Sequence, residues 1–282
     1  MNRHSGDGDP AVELVLFLWS KQSAQIVGSL LVVTLVLWHP SPGSVMSHET
    51  NWEAIKGYLT EAYNRQETQG VPKKADLTFG NSIKTMKFAV VFYVDMRSSR
   101  KIMQDTTEFV SAKSHKGFLQ AVIYCIENRQ GHFRSFNGDG ALAFFRGDNA
   151  ASRAVRAAMD LKAYVQKMNE VLEPKGTSID FGVGITQGKV HVVKTGKRGD
   201  DQTKQDLVWI GLPVYMAVEL SDFGSKPSNI WITHTVRESI GKQNHLGVVY
   251  SGGESMWLKT TKTLKSAGSY DVRYTRYYST IF

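Results

Sequence analysis

Lys87–Asp95 reads KFAVVFYVD, and Phe136–Phe145, which places Asp139 44 residues after Asp95, reads FNGDGALAFF. The first stretch is an almost unbroken run of β-branched and aromatic residues of strand length, the pattern of a strand buried on both faces. It ends abruptly on polar residues: Asp95, then Arg97, Ser98 and Ser99. The second carries Asn137-Gly138-Asp139-Gly140 between apolar runs, a strong signal for a hairpin joining His132–Phe136 to Ala141–Phe145. If that strand and that hairpin share one sheet, Asp95 and Asp139 emerge at the same edge.

Working outward, Ser98–Asn128 predicts one broken helix or two consecutive ones, marked by Ile102, Phe109, Phe118, Val122 and Ile126. Asn149–Leu172 predicts a long helix with an apolar stripe at Val155, Ala158, Leu161, Val165, Met168 and Leu172. Ile179–Ile185 alternates, with Ile179, Phe181, Val183 and Ile185 on one face and Asp180, Gly182 and Gly184 on the other. Lys189–Val193 is expected to pair with it across Thr186-Gln187-Gly188. Then come a basic loop at Lys194–Lys204, a strand at Leu207–Ile210, a short helix from Pro213 to Asp222, and short strands such as Ile230–Ile232 and the alternating Tyr270, Val272, Tyr274. The order β-αα-β-β-α-β-β implies an α+β fold of ferredoxin-like kind, a mostly antiparallel sheet with helices packed on one face.

At the front, His48–Gln66 has helical spacing through Trp52, Ile55, Tyr58, Leu59, Ala62 and Tyr63, and a polar linker with Gly70, Pro72, Lys73 and Lys74 follows. Before it lies the most apolar stretch of the chain, Ala24–Trp38, closed by His39-Pro40-Ser41-Pro42-Gly43. It is short of the roughly 20 residues that span a bilayer. Three readings stand for residues 1–45: a membrane anchor, a core or interface helix, or an upstream extension ahead of Met46. The division expected is residues 1–45, a lead-in helix and linker over 46–85, and the main domain over 86–282.

The 282 residues hold one cysteine, which excludes a disulfide scaffold and a Cys-rich zinc site and suits a reducing compartment. The 41% hydrophobic and 11% aromatic content excludes a disordered chain. Arg3 and Lys21 face Asp7, Asp9 and Glu13, so the first 45 residues carry a net −1 of the chain's +8 and the other +9 lies beyond them. A basic balance suits an anionic partner such as a nucleotide, nucleic acid or membrane surface. Arg273 and Arg276 alternate with tyrosines at strand spacing, which argues against nucleic acid.

Asp95 and Asp139 carry the chemistry. Two hard carboxylates beside the start of a helix are what a nucleoside triphosphate with divalent ions requires: carboxylates for the metals, backbone amides for phosphates. Ser98 or Ser99 suits an N-cap. Singly, each aspartate has a plain structural explanation in turn geometry or capping; together, at neighbouring strand ends, they favour metal. The histidines show no metal spacing, Cys125 lies on an apolar helix face, and Gly182 and Gly184 suit close packing. Lys194, Lys197, Arg198 and Lys204 suit a triphosphate or, interleaved with Asp200 and Asp201, a solvated loop.

FAVVFYVDMRSS and FNGDGALAFF, followed by IDFGVGITQGKV and DLVWIGLPVYMAVELS, resemble the class III nucleotidyl cyclases over residues 86–235. The resemblance implies that Asp95, Asp139 and the main-chain carbonyl of Met96 hold two Mn²⁺ or Mg²⁺ ions, and that the enzyme is a homodimer with sites between subunits. Positions that read purines or steady the transition state in that family are occupied here by Ser135, Val208, Tyr215 and Glu219. Tyr93-Val-Asp-Met-Arg97 is similar instead to a motif of the bacterial pyrimidine cyclases of an antiphage system. That likeness implies UTP or CTP as substrate, leaning to UTP through Tyr93, and a separate effector that answers the cyclic nucleotide. Tyr93 and Asp95 lie two apart on a strand and so share a face. The expected site is therefore Asp95, Asp139 and Arg97 for catalysis, with Tyr93, Arg97, Ser98 and Arg100 on the substrate. Arg97 offers a planar donor fork for phosphate or a pyrimidine carbonyl. The catalytic domain is expected in the cytoplasm, with membrane contact confined to residues 11–39. Two other readings stay open: a non-catalytic cyclase-like module, and an adenylate or guanylate cyclase with unusual base contacts.

Overall fold

The computed structural model describes residues 47–197, 199, 201–240, 255–277 and 281. The expected anchor or extension at 1–45, and Arg198 and Asp200 of the basic loop, lie outside them. The chain divides into two compact units, Met1–Glu53 and Ala54–Phe282. Of the first, only residues 47–53 are described, the opening turns of helix α1 (His48–Thr60). Among the described residues no helix is long and apolar enough to cross a membrane.

The second unit is built on β2 (Ser82–Arg97), which runs antiparallel to β4 (Gly140–Phe145) on one side and to β5 (Asp180–Gly196) on the other. Having neighbours on both sides and covered faces, β2 can be apolar and buried without a break from Ala89 to Val94. β3 (His132–Asn137) pairs with β4 at one margin. Beyond β5 come β7 (Ile230–Thr233), parallel to it, and the β8 (Leu258–Leu264) and β9 (Gly268–Thr275) hairpin, in the order β3-β4-β2-β5-β7-β9-β8. β1 (Asn64–Glu67) lies parallel to the start of β2, and β6 (Gln205–Ile210) pairs with the second half of β5.

Helix α2 (Ser99–Asp105) and α3 (Glu108–Asn128) realise the broken helix, and α4 (Ala150–Leu172) the long one. α3 and α4 cover one face of the sheet. Val90, Phe92, Val94 and Met96 of β2 meet Phe118, Val122 and Ile126 of α3 and Val155, Ala158, Leu161 and Val165 of α4 there. The other face carries the short α5 (Leu212–Asp222), with Val91, Tyr93, Leu142, Phe144, Val192 and Trp209 packed against Val214 and Ala217. Arg134 donates to the carbonyls of Val71 and Pro72 and so ties the linker to this second face, where Val71 and Leu77 are buried. α6 (His234–Ser239) follows β7 directly, capped by the Thr233 hydroxyl.

Two expectations are corrected. The helix expected over His48–Gln66 stops at Thr60, and Asn64–Glu67 is strand, because that segment finds hydrogen-bonding partners along Ser82–Thr85. The hairpin expected around Thr186-Gln187-Gly188 is instead one 17-residue strand. Gly188 is there for space: a Cβ would lie 2.6 Å from the Pro213 ring. Pairing with β2 resumes on both sides of it, across a bulge between Met86 and Ala89, and so carries the strand through.

Candidate active site

The register of β2, β4 and β3 sets the site. Tyr93 pairs with Leu142, and Leu142 with Ser135, so these side chains form one row on the α5 face. The next row toward the edge is Asp95, Gly140 and Asn137, Asn137 being paired with Gly140. Between Asn137 and Gly140 runs a two-residue loop, Gly138-Asp139, with Gly138 at φ +63. Glycine first in such a loop is what its backbone demands. Asp139 is thereby held at the tip, one residue from Gly140, with its side chain partly exposed.

Gly140 is a glycine for a different reason. A Cβ there would lie 2.7 Å from Tyr93 Oη and 2.9 Å from Asp95 Oδ1. The hydroxyl and the carboxylate therefore both pack closely against the Gly140 backbone. Burial first, and then the charge of Asp139, hold the Asp95 carboxyl above the usual carboxylate range, with Arg97 pulling the other way and Asp222 adding to the rise. Burial likewise pushes the Tyr93 phenol up, opposed by a hydrogen bond from Asn137 and reinforced by the charges of Asp95, Asp139 and Asp222.

Arg97 ends β2 on the same face. Its Nε donates to Gly224 O at 2.9 Å and its Nη2 to Ser221 O, while Nη1 lies 3.4 Å from Asp222 Oδ1 and 3.8 Å from Asp95 Oδ2. A guanidinium at the carbonyl end of α5 sits where the helix dipole favours a cation. α5 can descend this far because Gly182 and Gly184 carry no side chain: a Cβ at Gly184 would lie 1.9 Å from Ala217 O. The close-packing role expected for these two glycines is thus observed.

Ser98 adopts a left-handed conformation, φ 58 and ψ 29, between β2 and α2, and its hydroxyl does not cap the helix. Ser98 and Arg100 are exposed just beyond Arg97. The structure thus brings Tyr93, Asp95, Asp139 and Arg97 together, with Ser98 and Arg100 at the margin. Of the basic loop, Lys194 lies over the Phe79 ring at 4.6 Å and Lys204 pairs with Asp201 at 3.0 Å.

Sequence reading missed two participants. Asn137, legible only as a turn residue, donates through Nδ2 to Tyr93 Oη at 3.2 Å. Asp222, at the end of α5, is brought within electrostatic reach of Asp95 by the Arg97 clasp, which no local motif announces. Glu219 accepts from the backbone amides of Lys265, at 2.5 Å, and Ser266, at 3.0 Å, clasping the β8–β9 turn to α5. Val208 and Tyr215 lie exposed on β6 and α5.

Among the described residues no three His, Cys, Asp or Glu side chains meet as a ready-made metal cage. Asp95, with Asp139 close enough for its charge to act on it, nevertheless suits a small divalent cation, which is commonly held by one or two carboxylates with phosphate and water completing its shell. A cation bound there would offset the charge of Asp139 that helps to raise the Asp95 carboxyl.

No family model matches the chain. A curated uridylate cyclase of Burkholderia cepacia is 29% identical over 204 residues, 71% of this chain and 85% of the relative. One of Xanthomonas perforans is 29% identical over 220 residues, 75% of this chain and 84% of the relative. Among solved structures, the guanylyl cyclase Cya2 superimposes with a TM-score of 0.57 at 17% identity, over 70% of this chain and 95% of that one. At that identity the likeness carries the fold, that of a class III cyclase catalytic domain.

Proposed function

We propose that this chain, a class III nucleotidyl cyclase related to the uridylate cyclases, closes UTP, or CTP, into its 3′,5′-cyclic monophosphate. The ribose 3′-hydroxyl gives its proton to solvent, its oxygen bonds to the α-phosphorus, the bond from that phosphorus to the bridging oxygen breaks, and pyrophosphate leaves with the electron pair. The reading is carried by Asp95 beside the Tyr93 hydroxyl at one sheet edge, with Asp139 on the neighbouring hairpin close enough for its charge to act on Asp95.

Asp95 and Asp139, with the carbonyl of Met96, would hold the divalent ions, two Mn²⁺ or Mg²⁺ per site. Bound there, such ions supply positive charge to the 3′-oxygen and to the departing pyrophosphate. Arg97, fixed by α5, keeps Asp95 oriented and adds charge beside the triphosphate, while Ser98 and Arg100 flank the phosphates. Catalysis is then mainly positioning and charge stabilisation. Ser135 and Val208 leave the base pocket without the charged purine readers of the family, and Tyr93 takes their place. The same reading places the active sites between the subunits of a homodimer, assigns catalysis to residues 86–282, and makes the product a second messenger for a separate antiphage effector.

The test is purified protein incubated with each of the four NTPs and Mn²⁺. Cyclic UMP or cyclic CMP with stoichiometric pyrophosphate is expected, and its loss in Asp95→Asn and Asp139→Asn. Cyclic AMP or cyclic GMP as the dominant product overturns the pyrimidine assignment. Glu219, occupied by the β8–β9 turn where the family carries a transition-state arginine, favours a second reading, a non-catalytic nucleotide-binding module. Nucleotide binding without pyrophosphate release selects it.

A further inference from the structure

Five residues before Asp139, β3 carries one residue too many. His132 pairs with Phe144 and Phe133 with Ala143, but Leu142 is met by Ser135, so Arg134 has no opposite number on β4. Such an extra residue, a β-bulge, bends its strand and turns the side chains beyond it to the other face. The turn is visible on both faces. Phe133 packs with α3 and α4, and the Phe136 ring, three residues on, lies 4.6 Å from the Phe133 ring. In a regular strand residues three apart point opposite ways. Ser135 and Asn137 fall on the α5 face, where Asn137 reaches Tyr93 Oη. Without the bulge Asn137 would face the helices, and the loop that carries Asp139 would leave the strand turned over.

The extra residue's own side chain holds the bulge. Arg134 Nη1 donates to Phe133 O at 2.7 Å, Nε to Pro72 O at 2.9 Å and Nη2 to Val71 O at 2.8 Å. Val71 and Pro72 are buried, Val71 within the cluster beneath α5. One planar fork thus joins the carbonyl preceding the bulge to two carbonyls of the linker. Arg146 fastens the start of the same linker, donating to the carbonyls of Thr68 and Gln69, but it follows Phe145 at the opposite end of the hairpin from Asp139.

We propose that Arg134 is a positioning residue for the Asp139 hairpin: by clasping the Val71 and Pro72 carbonyls it holds the β3 bulge, so that docking of the 68–77 linker fixes the face on which β3 delivers Asn137 and Asp139 to the site. Arg134 touches neither nucleotide nor metal in this role and acts through the strand. The linker between the lead-in helix and the catalytic sheet thereby becomes part of the site's construction. The inference rests on the cyclase reading above and names the contact that carries the seating of the linker to one of its two proposed metal ligands.

The experiment compares wild type, Arg134→Ala, Arg134→Lys, Val71→Ser, Val71→Ser/Arg134→Ala and Arg146→Ala as full-length proteins. It reads kcat/KM for the NTP that wild type cyclises, the Mn²⁺ concentration giving half the maximal rate, and amide hydrogen exchange of the 132–145 hairpin against β2 and α4. Arg134→Ala is expected to lower kcat/KM about 10-fold or more, as misplacement of a ligand does. It should also raise the Mn²⁺ requirement and speed exchange in the hairpin, with β2 and α4 as in wild type. Arg134→Lys keeps a donor for the linker and regains part of the activity. Val71→Ser gives the same pattern more weakly and adds little to Arg134→Ala, because both act through one contact. Arg146→Ala leaves the Mn²⁺ requirement and hairpin exchange unchanged. An Arg134→Ala protein with the wild-type Mn²⁺ requirement overturns the inference, even if faster exchange throughout the sheet shows it to be less stable. Losses that add in full in the double variant, or an equal effect from Arg146→Ala, overturn it too. Should Arg134→Ala not fold, Arg134→Lys and Val71→Ser decide by the same readings. Failure of the cyclase reading looks different: wild type then forms no cyclic nucleotide, while hairpin exchange still reports whether Arg134 holds the bulge.

Discussion

At the residue scale, the proposed site depends on two carboxylates, Asp95 and Asp139, the charge of the second helping to raise the pKa of the first. Asp95→Asn and Asp139→Asn each keep the size of the side chain and remove one ligand charge. Each is expected to lower kcat by about 10²–10³-fold or more in the Mn²⁺-supported reaction, without lowering the thermal midpoint. Relief of the repulsion that Asp139 exerts on Asp95 argues, if anything, for a small gain in stability. A chelator should abolish wild-type turnover, and Mn²⁺ should restore it. Cys125 makes a contrasting case. Burial, reinforced by the charge of Asp160, pushes its thiol up to about 12, well above the unfolded value of about 8.5. The native protein should resist iodoacetamide at pH 8 and react only when unfolded. A raised thiol pKa means that the unfolded chain loses this proton first. Its contribution to stability is therefore complete below about pH 8.5 and declines as pH rises toward 12. Cys125→Ala should flatten that part of the alkaline unfolding curve.

At the scale of elements, α5 decides whether the site exists. It rests on Gly182 and Gly184, and its carbonyl end receives Arg97, the residue two beyond Asp95. Gly184→Ala would drive a methyl group into the Ala217 carbonyl, a backbone atom that moves only with the helix. The expected cost is about 1–3 kcal/mol, read as a lower urea midpoint. Activity should fall with it as Arg97 and Asp222 are displaced. Glu219 is the reverse case: Glu219→Ala frees two turn amides that water can then solvate, so a loss of about 1 kcal/mol with little change in kcat is expected. A large drop in kcat at unchanged stability would instead give Glu219 a part in the chemistry. These elements differed in how far they could be read. β2, the 132–145 hairpin, α4 and the α2–α3 break were legible because period and turn chemistry agree along each stretch. β5 was misread because Gly188 resembles a turn in one dimension, and only Pro213, 25 residues on, reveals that it serves a close approach.

At the scale of the whole molecule, the proposed homodimer makes activity a matter of concentration. If each active site needs two chains, specific activity should fall on dilution through the dissociation range and recover on concentration. Specific activity constant down to chain dissociation would remove the shared-site assignment. The sequence alone determined β2, the 132–145 hairpin, the α2–α3 break, α4 and the places of the two aspartates, because each is written in short-range patterns: apolar runs, a hairpin tetrapeptide, charged strand ends. It also carried the resemblance to cyclases, which depends on the order of those motifs. Only the tertiary structure decided where Arg97 spends its donors, that Glu219 holds a turn, that Asp222 joins the electrostatics of Asp95, and that Asn137 donates to the Tyr93 hydroxyl. Each of these is a contact between elements, set by sheet register and by how deeply one helix sinks onto two glycines. Local residue order does not encode such distances.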